Sequence, residues 1–134
     1  MKQILLCLVA VVLSTAAVVA QPKKGNFAEI KFDNTSFDFG SVKQGTPVEV
    51  EFKFVNIGKE PLVISDVTPN SGGVSPKYPR WPISPGKWEI IKLTLQTNGN
   101  SFRIIRSVTV KSNSIKGLVV LTVTGNVEAA NREP

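Results

Sequence analysis

The sequence predicts an all-β fold of two packed sheets, and three observations carry that expectation. From Val48 to Phe54 the side chains alternate strictly, with Val48, Val50, Phe52 and Phe54 apolar and Glu49, Glu51 and Lys53 charged. A period of two is the mark of a strand with one dry and one wet face. Comparable runs recur roughly every ten residues with Gly, Pro or Asn turns between them, the rhythm of a β-sandwich or small barrel, of which the sandwich is preferred. No helical period appears after residue 20, so a βαβ architecture, which needs crossover helices, is excluded.

The first twenty residues are a separate object. Lys2 gives a positive start, Ile4 to Leu13 is an apolar core, and Ser14 to Ala20 turns small before polar Gln21. That is the layout of a cleavable secretory signal over residues 1–20. As a membrane anchor the stretch lies at the lower edge of spanning length, and the polar Gln21 to Lys24 segment that follows favours cleavage, which leaves no stable membrane span. Removing twenty of 134 residues leaves 114, one domain with room for a core of its own.

The mature elements follow in order. Residues 21–26 are expected to be a flexible lead-in and residues 27–127 the domain. Ile30 and Phe32 alternate with Glu29 and Lys31, and Phe37 and Phe39 flank Asp38, before Gly40 interrupts. Val42 to Pro47 is a turn into the long strand, and Asn56 to Pro61 is the next, with Gly40 and Gly58 expected to permit turns that a side chain would strain. Asn56 is expected to bond its own turn backbone. Leu62 to Val67 is a strand. Thr68 to Gly86 holds five prolines, and Pro76 to Pro82 is expected to run extended along a sheet edge, where prolines are tolerated. Trp88 to Gln96 is a strand with Ile91, Leu93 and Leu95 inward. Phe102 to Lys111 and Leu118 to Thr124 complete a set of about seven, and residues 128–134 form a polar tail.

Taken in order, Ala28 to Asp33, Phe37 to Gly40, Val42, Gly45, Phe52, Phe54, Asn56, Gly58, Pro61 to Ile64, Pro85-Gly86 and Gly125 to Val127 resemble a widespread family of small exported bacterial proteins labelled a domain of unknown function. That family is similar to the immunoglobulin-like modules of Hydin, ASPM and major sperm protein. The resemblance spans Ala28 to Val127 and implies an immunoglobulin-like β-sandwich of about seven antiparallel strands, a bacterial setting and no catalytic activity. Family members commonly carry a Cys-Gly-Cys where this chain has Ser71-Gly72-Gly73, so no redox or metal role of those sulfurs carries over.

Composition narrows the chemistry. Histidine is absent and the single cysteine, Cys7, lies in the leader, which removes the commonest general base, the thiol nucleophile and thiolate or imidazole metal ligands. Asp33 and Asp38, and Glu49 and Glu51, are carboxylate pairs, but no loop concentrates oxygens as calcium requires, and the second pair reads as a solvated strand face. Ser71 has no base to activate it. No enzyme, cofactor or metal is expected. The net charge of +6, or +5 without Lys2, is dispersed among acids, which suits solubility better than a polyanion site, and export makes nucleic acid an unsuitable partner.

One stretch has binding character: Lys77 to Pro82, followed by Lys87 and Trp88. Tyr, Trp and Arg dominate interface hot spots, and prolines hold them in shape at low entropic cost. Tyr78, Arg80 and Trp81 are the candidate binding residues, with Trp81 expected to be exposed and Trp88 core-facing or half-buried. The competing structural reading has a tryptophan plugging the end of the core. The expected function is that of a non-enzymatic exported interaction or structural module, periplasmic or at the cell surface, with an unidentified protein or envelope polymer as partner. The alternative is carbohydrate or envelope-polymer binding through the aromatic and basic loop Lys77 to Lys87. Strand addition to a partner's sheet edge is a third reading.

Overall fold

The computed structural model describes residues 25–99 and 102–129. The leader, Cys7, residues 21–24 of the lead-in, Asn100 and residues 130–134 lie outside the described residues. Eight strands occur among the described residues: β1 (Ile30–Phe32), β2 (Ser36–Lys43), β3 (Val48–Asn56), β4 (Ile64–Pro69), β5 (Val74–Lys77), β6 (Trp88–Leu95), β7 (Arg103–Ser112) and β8 (Val119–Glu128). They make two four-stranded sheets, ordered β1-β3-β6-β5 and β2-β8-β7-β4. The two layers close as a β-sandwich, as the alternating runs require.

Burial follows the parity of the sequence. Along β3 the dry residues Val48, Val50, Phe52 and Phe54 are all buried, and Phe54 lies 5.6 Å from Phe32, ring centre to ring centre, at an interplanar angle of 54°. Tilted aromatic pairs at this spacing are favourable beyond their buried area. Ile91, Leu93 and Leu95 of β6 face them, opposite Val108 and Val110 of β7 and Leu121 and Val123 of β8, and all are buried. Ser114, in the β7–β8 connection, accepts a hydrogen bond from Ile30 N–H at 3.0 Å, tying the first strand to the second sheet.

The topology departs from the expected antiparallel set in one place. Five pairings are antiparallel, whereas β2 runs parallel to β8. The chain crosses from β1 to the other sheet through Asp33 to Thr35 and meets the last strand. β2 is also longer than the Phe37 to Phe39 fragment suggests. It absorbs Gly40 in an irregularity between Asp38 and Ser41, with Gly40 at φ 81° and its N–H donating to Asp38 Oδ1 at 2.8 Å. The two rings of this strand do not share one environment. Phe39 packs on the core, but Phe37 stays 48% exposed because its strand is a sheet edge at the point where the chain changes sheets. β5 is the eighth strand, formed inside the proline-rich segment. It pairs with β6 at the edge of its sheet, where Pro76 is tolerated because a residue without N–H costs least there.

A polar residue organises one end of the sandwich. Asn56 is fully buried, and its Oδ1 accepts from Gly58 N–H at 2.9 Å and Glu29 N–H at 3.3 Å. Its Nδ2 donates to Glu60 O at 2.8 Å and Ile83 O at 2.9 Å. The turn bond expected from sequence is present, along with three more that reach β1's lead-in, the β3–β4 turn and the loop after β5. Gly58 serves a purpose other than turn strain: a Cβ there would lie on the main chain of Phe27 to Glu29. Close backbone approach, not positive φ, requires glycine at this position.

Candidate functional site

β5 ends at Lys77, and the chain then wraps beside β6 before β6 itself begins at Trp88. The wrap is pinned at both ends. Pro79 is buried, and Ile83 is buried and exchanges backbone hydrogen bonds with Leu62 at 2.8 and 2.9 Å. Between those anchors Trp81 stands 56% exposed, which answers the core-plug reading for this residue. Tyr78 is half-buried and packs against the core. Arg80 is exposed and lays its guanidinium 4.5 Å from the centre of the Tyr78 ring, a cation–π distance. The structure therefore brings all three candidate residues together on one short segment.

Trp88 corrects the sequence reading. It is 54% exposed, on the outer face of its sheet, with Lys53 Nζ 4.5 Å from the ring centre. The reason is parity: Ile91, Leu93 and Leu95 point inward, so Trp88, Ile90, Lys92 and Thr94 must point out. That argument was available in the sequence alone, and it also identifies what sequence reasoning missed. Ile90 and Lys92 from β6, with Glu89, join Glu51 from β3 and Lys77, Tyr78, Pro79 and Trp81 around a shallow groove of about 300 Å³. The groove's floor is the outer face of the first sheet and its wall is the Trp81 segment.

The remaining carboxylates and the loop glycines form no comparable site. Glu49 meets Lys92 Nζ at 3.5 Å on the solvated face, and Asp38 meets Arg103 at 4.0 Å, both exposed. Ser71 and Gly72 lie exposed in the β4–β5 turn, which Gly73 closes at φ 82°. A second cleft of about 400 Å³ lies at the β6–β7 end, lined by Gln96, Thr97, Phe102, Arg103, Ile104 and Arg106 among others. Its arginines are engaged by Asp38 and by the carbonyl of Ile105. Among the described residues no three His, Cys, Asp or Glu side chains cluster to hold a metal ion, and no helix is long and apolar enough to cross a membrane.

The placement of the two indoles is directly testable. In Trp81→Phe and Trp88→Phe single variants, the remaining tryptophan should emit like a solvated indole and be quenched by iodide in both proteins. Protection of either indole from iodide contradicts the exposed placement.

The chain belongs to the family described as "Protein of unknown function (DUF1573)", whose model matches residues 30–127. No curated protein matches the sequence. Among solved structures, the chain is similar to a protein of unknown function from Porphyromonas gingivalis W83, at 18% identity and a TM-score of 0.67, over 84% of this chain and 51% of that one. It thus spans about half the length of that relative. It is also similar to an ASH/PapD-like domain of human CEP192, at 13% identity and a TM-score of 0.63, over 89% of this chain and 99% of that domain. The E. coli chaperone DraB aligns at 11% identity and a TM-score of 0.51, over 80% and 58% of the two chains. At these identities the likeness establishes the fold, an immunoglobulin-like, PapD-like β-sandwich, as the sequence resemblance implied.

Proposed function

We propose that this chain is a non-enzymatic, exported interaction module of the bacterial periplasm or cell surface that meets its partner through the Trp81 groove. The observation that carries the reading is Trp81, an indole held exposed between two buried anchors. Leaving a large ring in water forgoes on the order of 2 kcal/mol of burial, so a rigid loop that presents one is built for contact. The fold supports a binding role, since the E. coli chaperone DraB shares it. The chemistry supports the absence of catalysis, because no histidine occurs in the chain to serve as the commonest general base.

Strand addition is the less suited mode. Of the four edge strands, β1 is three residues long, β2 is interrupted at Gly40, β4 ends in Pro69 and β5 contains Pro76, all devices that blunt an edge. The second reading, binding of a carbohydrate or envelope polymer through Lys77 to Lys87, is favoured by the groove itself, whose aromatic wall and polar rim suit a sugar chain.

Two measurements test the proposal. Mass spectrometry of the protein from the periplasm should show a chain beginning at Gln21; a product retaining Met1 to Ala20 contradicts export by cleavage. Cross-linking in intact cells should give a discrete adduct with the wild-type protein that is lost in Trp81→Ala at unchanged thermal stability. An adduct of equal yield in that variant places the contact elsewhere.

A further inference from the structure

Resting on the polymer-binding reading of the Trp81 groove, we infer that its occupant is an uncharged polysaccharide. The charges of the groove decide between ligand classes. Lys77 lies directly across from Lys92 in the β5–β6 register, and Lys92 is drawn to Glu49 at 3.5 Å. The other ion pairs among the described residues are Arg103 with Asp38 and Lys116 with Glu29. The charged residues that line the groove are two cations, Lys77 and Lys92, and two carboxylates, Glu51 and Glu89, with Arg80 held beside it over the Tyr78 ring. The lining charges balance.

A balanced rim offers no net attraction to a polyanion, yet it offers donors and acceptors side by side. A sugar hydroxyl is both donor and acceptor, so vicinal hydroxyls can accept from Lys77 or Lys92 while donating to Glu51 or Glu89. Charged partners make such bonds stronger than neutral ones. The apolar elements match the rest of a pyranose. Trp81 supplies a flat ring whose electron-rich face suits the C–H face of a sugar, and Ile90 supplies apolar floor beside it. Trp88 stands on the same sheet face two residues from Ile90, with Lys53 Nζ 4.5 Å from its ring centre. A peptide strand is the weaker fit, because the floor is made of side chains on a sheet face and provides no backbone edge to pair with.

Affinity electrophoresis of the purified full chain tests this, in native gels cast with hydroxyethyl cellulose, laminarin or dextran as uncharged probes and with alginate or polyglutamate as anionic ones. At least one uncharged polymer should retard the protein, and the retardation should persist in 0.5 M NaCl. Trp81→Ala should weaken it about ten-fold or more, the loss expected of a central aromatic contact, while Trp81→Phe retains most of it. Both variants should melt with the wild type, which separates lost contact from lost fold. Retardation by alginate alone, abolished by salt, overturns the uncharged assignment and leaves polymer binding standing. Retardation by polyglutamate equal to that by alginate points to charge without sugar and overturns both. No retardation by any probe overturns both as well, and undiminished retardation of Trp81→Ala removes the site from the groove.

Discussion

Asn56→Ala should lower the stability of the domain by about 3 to 5 kcal/mol, a large share of the roughly 5 to 15 kcal/mol available to a domain of this kind. The side chain is fully buried and makes four hydrogen bonds, to Glu29 N–H, Gly58 N–H, Glu60 O and Ile83 O. Alanine leaves Glu29 N–H, Gly58 N–H and Glu60 O without this partner, while Ile83 O keeps the bond from Leu62 N–H. Each buried group left unsatisfied costs about 1 to 3 kcal/mol, whereas the bonds themselves contribute less than that net. Asn56→Asp is the sharper control, because it keeps the shape and both acceptor contacts. It fails on the other side, turning a carboxylate oxygen toward two carbonyls in a dry site, and should destabilise at least as much as alanine. Urea unfolding followed by circular dichroism reads both. A midpoint within error of the wild type for Asn56→Ala would mean that water replaces the amide, and would end its assignment as the organiser of this end of the sandwich.

Gly58→Ala should cost about 2 to 4 kcal/mol, more than ordinary overpacking of a core. The added methyl overlaps main-chain atoms of Phe27, Ala28 and Glu29, which have no rotamer to retreat into. Relief requires β1 to lift from β3, and that movement breaks the bonds from Lys59 N–H to Phe27 O at 2.7 Å and from Ile57 N–H to Glu29 O at 2.8 Å. Hydrogen exchange should therefore accelerate at the amides of Ile30 to Phe32 well before the rest of the sheet. Gly72→Ala is the matched control, since nothing lies within 4 Å of the position its Cβ would take. It should change stability by no more than about 0.5 kcal/mol. Equal unfolding midpoints for the two variants would contradict the close-approach account.

The sandwich itself was legible because period-two patterning reports which residues face inward. The strict alternation of β3 and the Ile91, Leu93, Leu95 triplet of β6 appear in the structure as the sequence predicts. Neighbour choice is a different quantity, and patterning is silent on it. Nothing in Ser36 to Lys43 says that this strand lies beside Val119 to Glu128, or that it does so in parallel. β5 was obscured because prolines argue against a ladder in general, while a four-residue edge strand needs few bonds and can accommodate one. Trp88 at the border of a strand reads as core-facing or half-buried, but its parity with Ile90 and Lys92 turns it outward. Within the candidate site, Tyr78, Arg80 and Trp81 were readable because they are adjacent in sequence and of contact-forming types. Glu51, Ile90 and Lys92 were not, since only the β3–β6 pairing brings Glu51 opposite Lys92, and each alone looks like an ordinary outward strand residue.

In the second sheet β2 has a single strand neighbour, β8, which is the last strand among the described residues. A chain emerging from its amino terminus must therefore hold β2 unpaired until nearly every later residue is available. Contacts so far apart in sequence are slow to form because loop-closure entropy is lost before they contribute. The second sheet is consequently closed by one late event, and a fragment lacking residues beyond Gly117 keeps β2, β7 and β4 but has nothing to join the first of them to the other two.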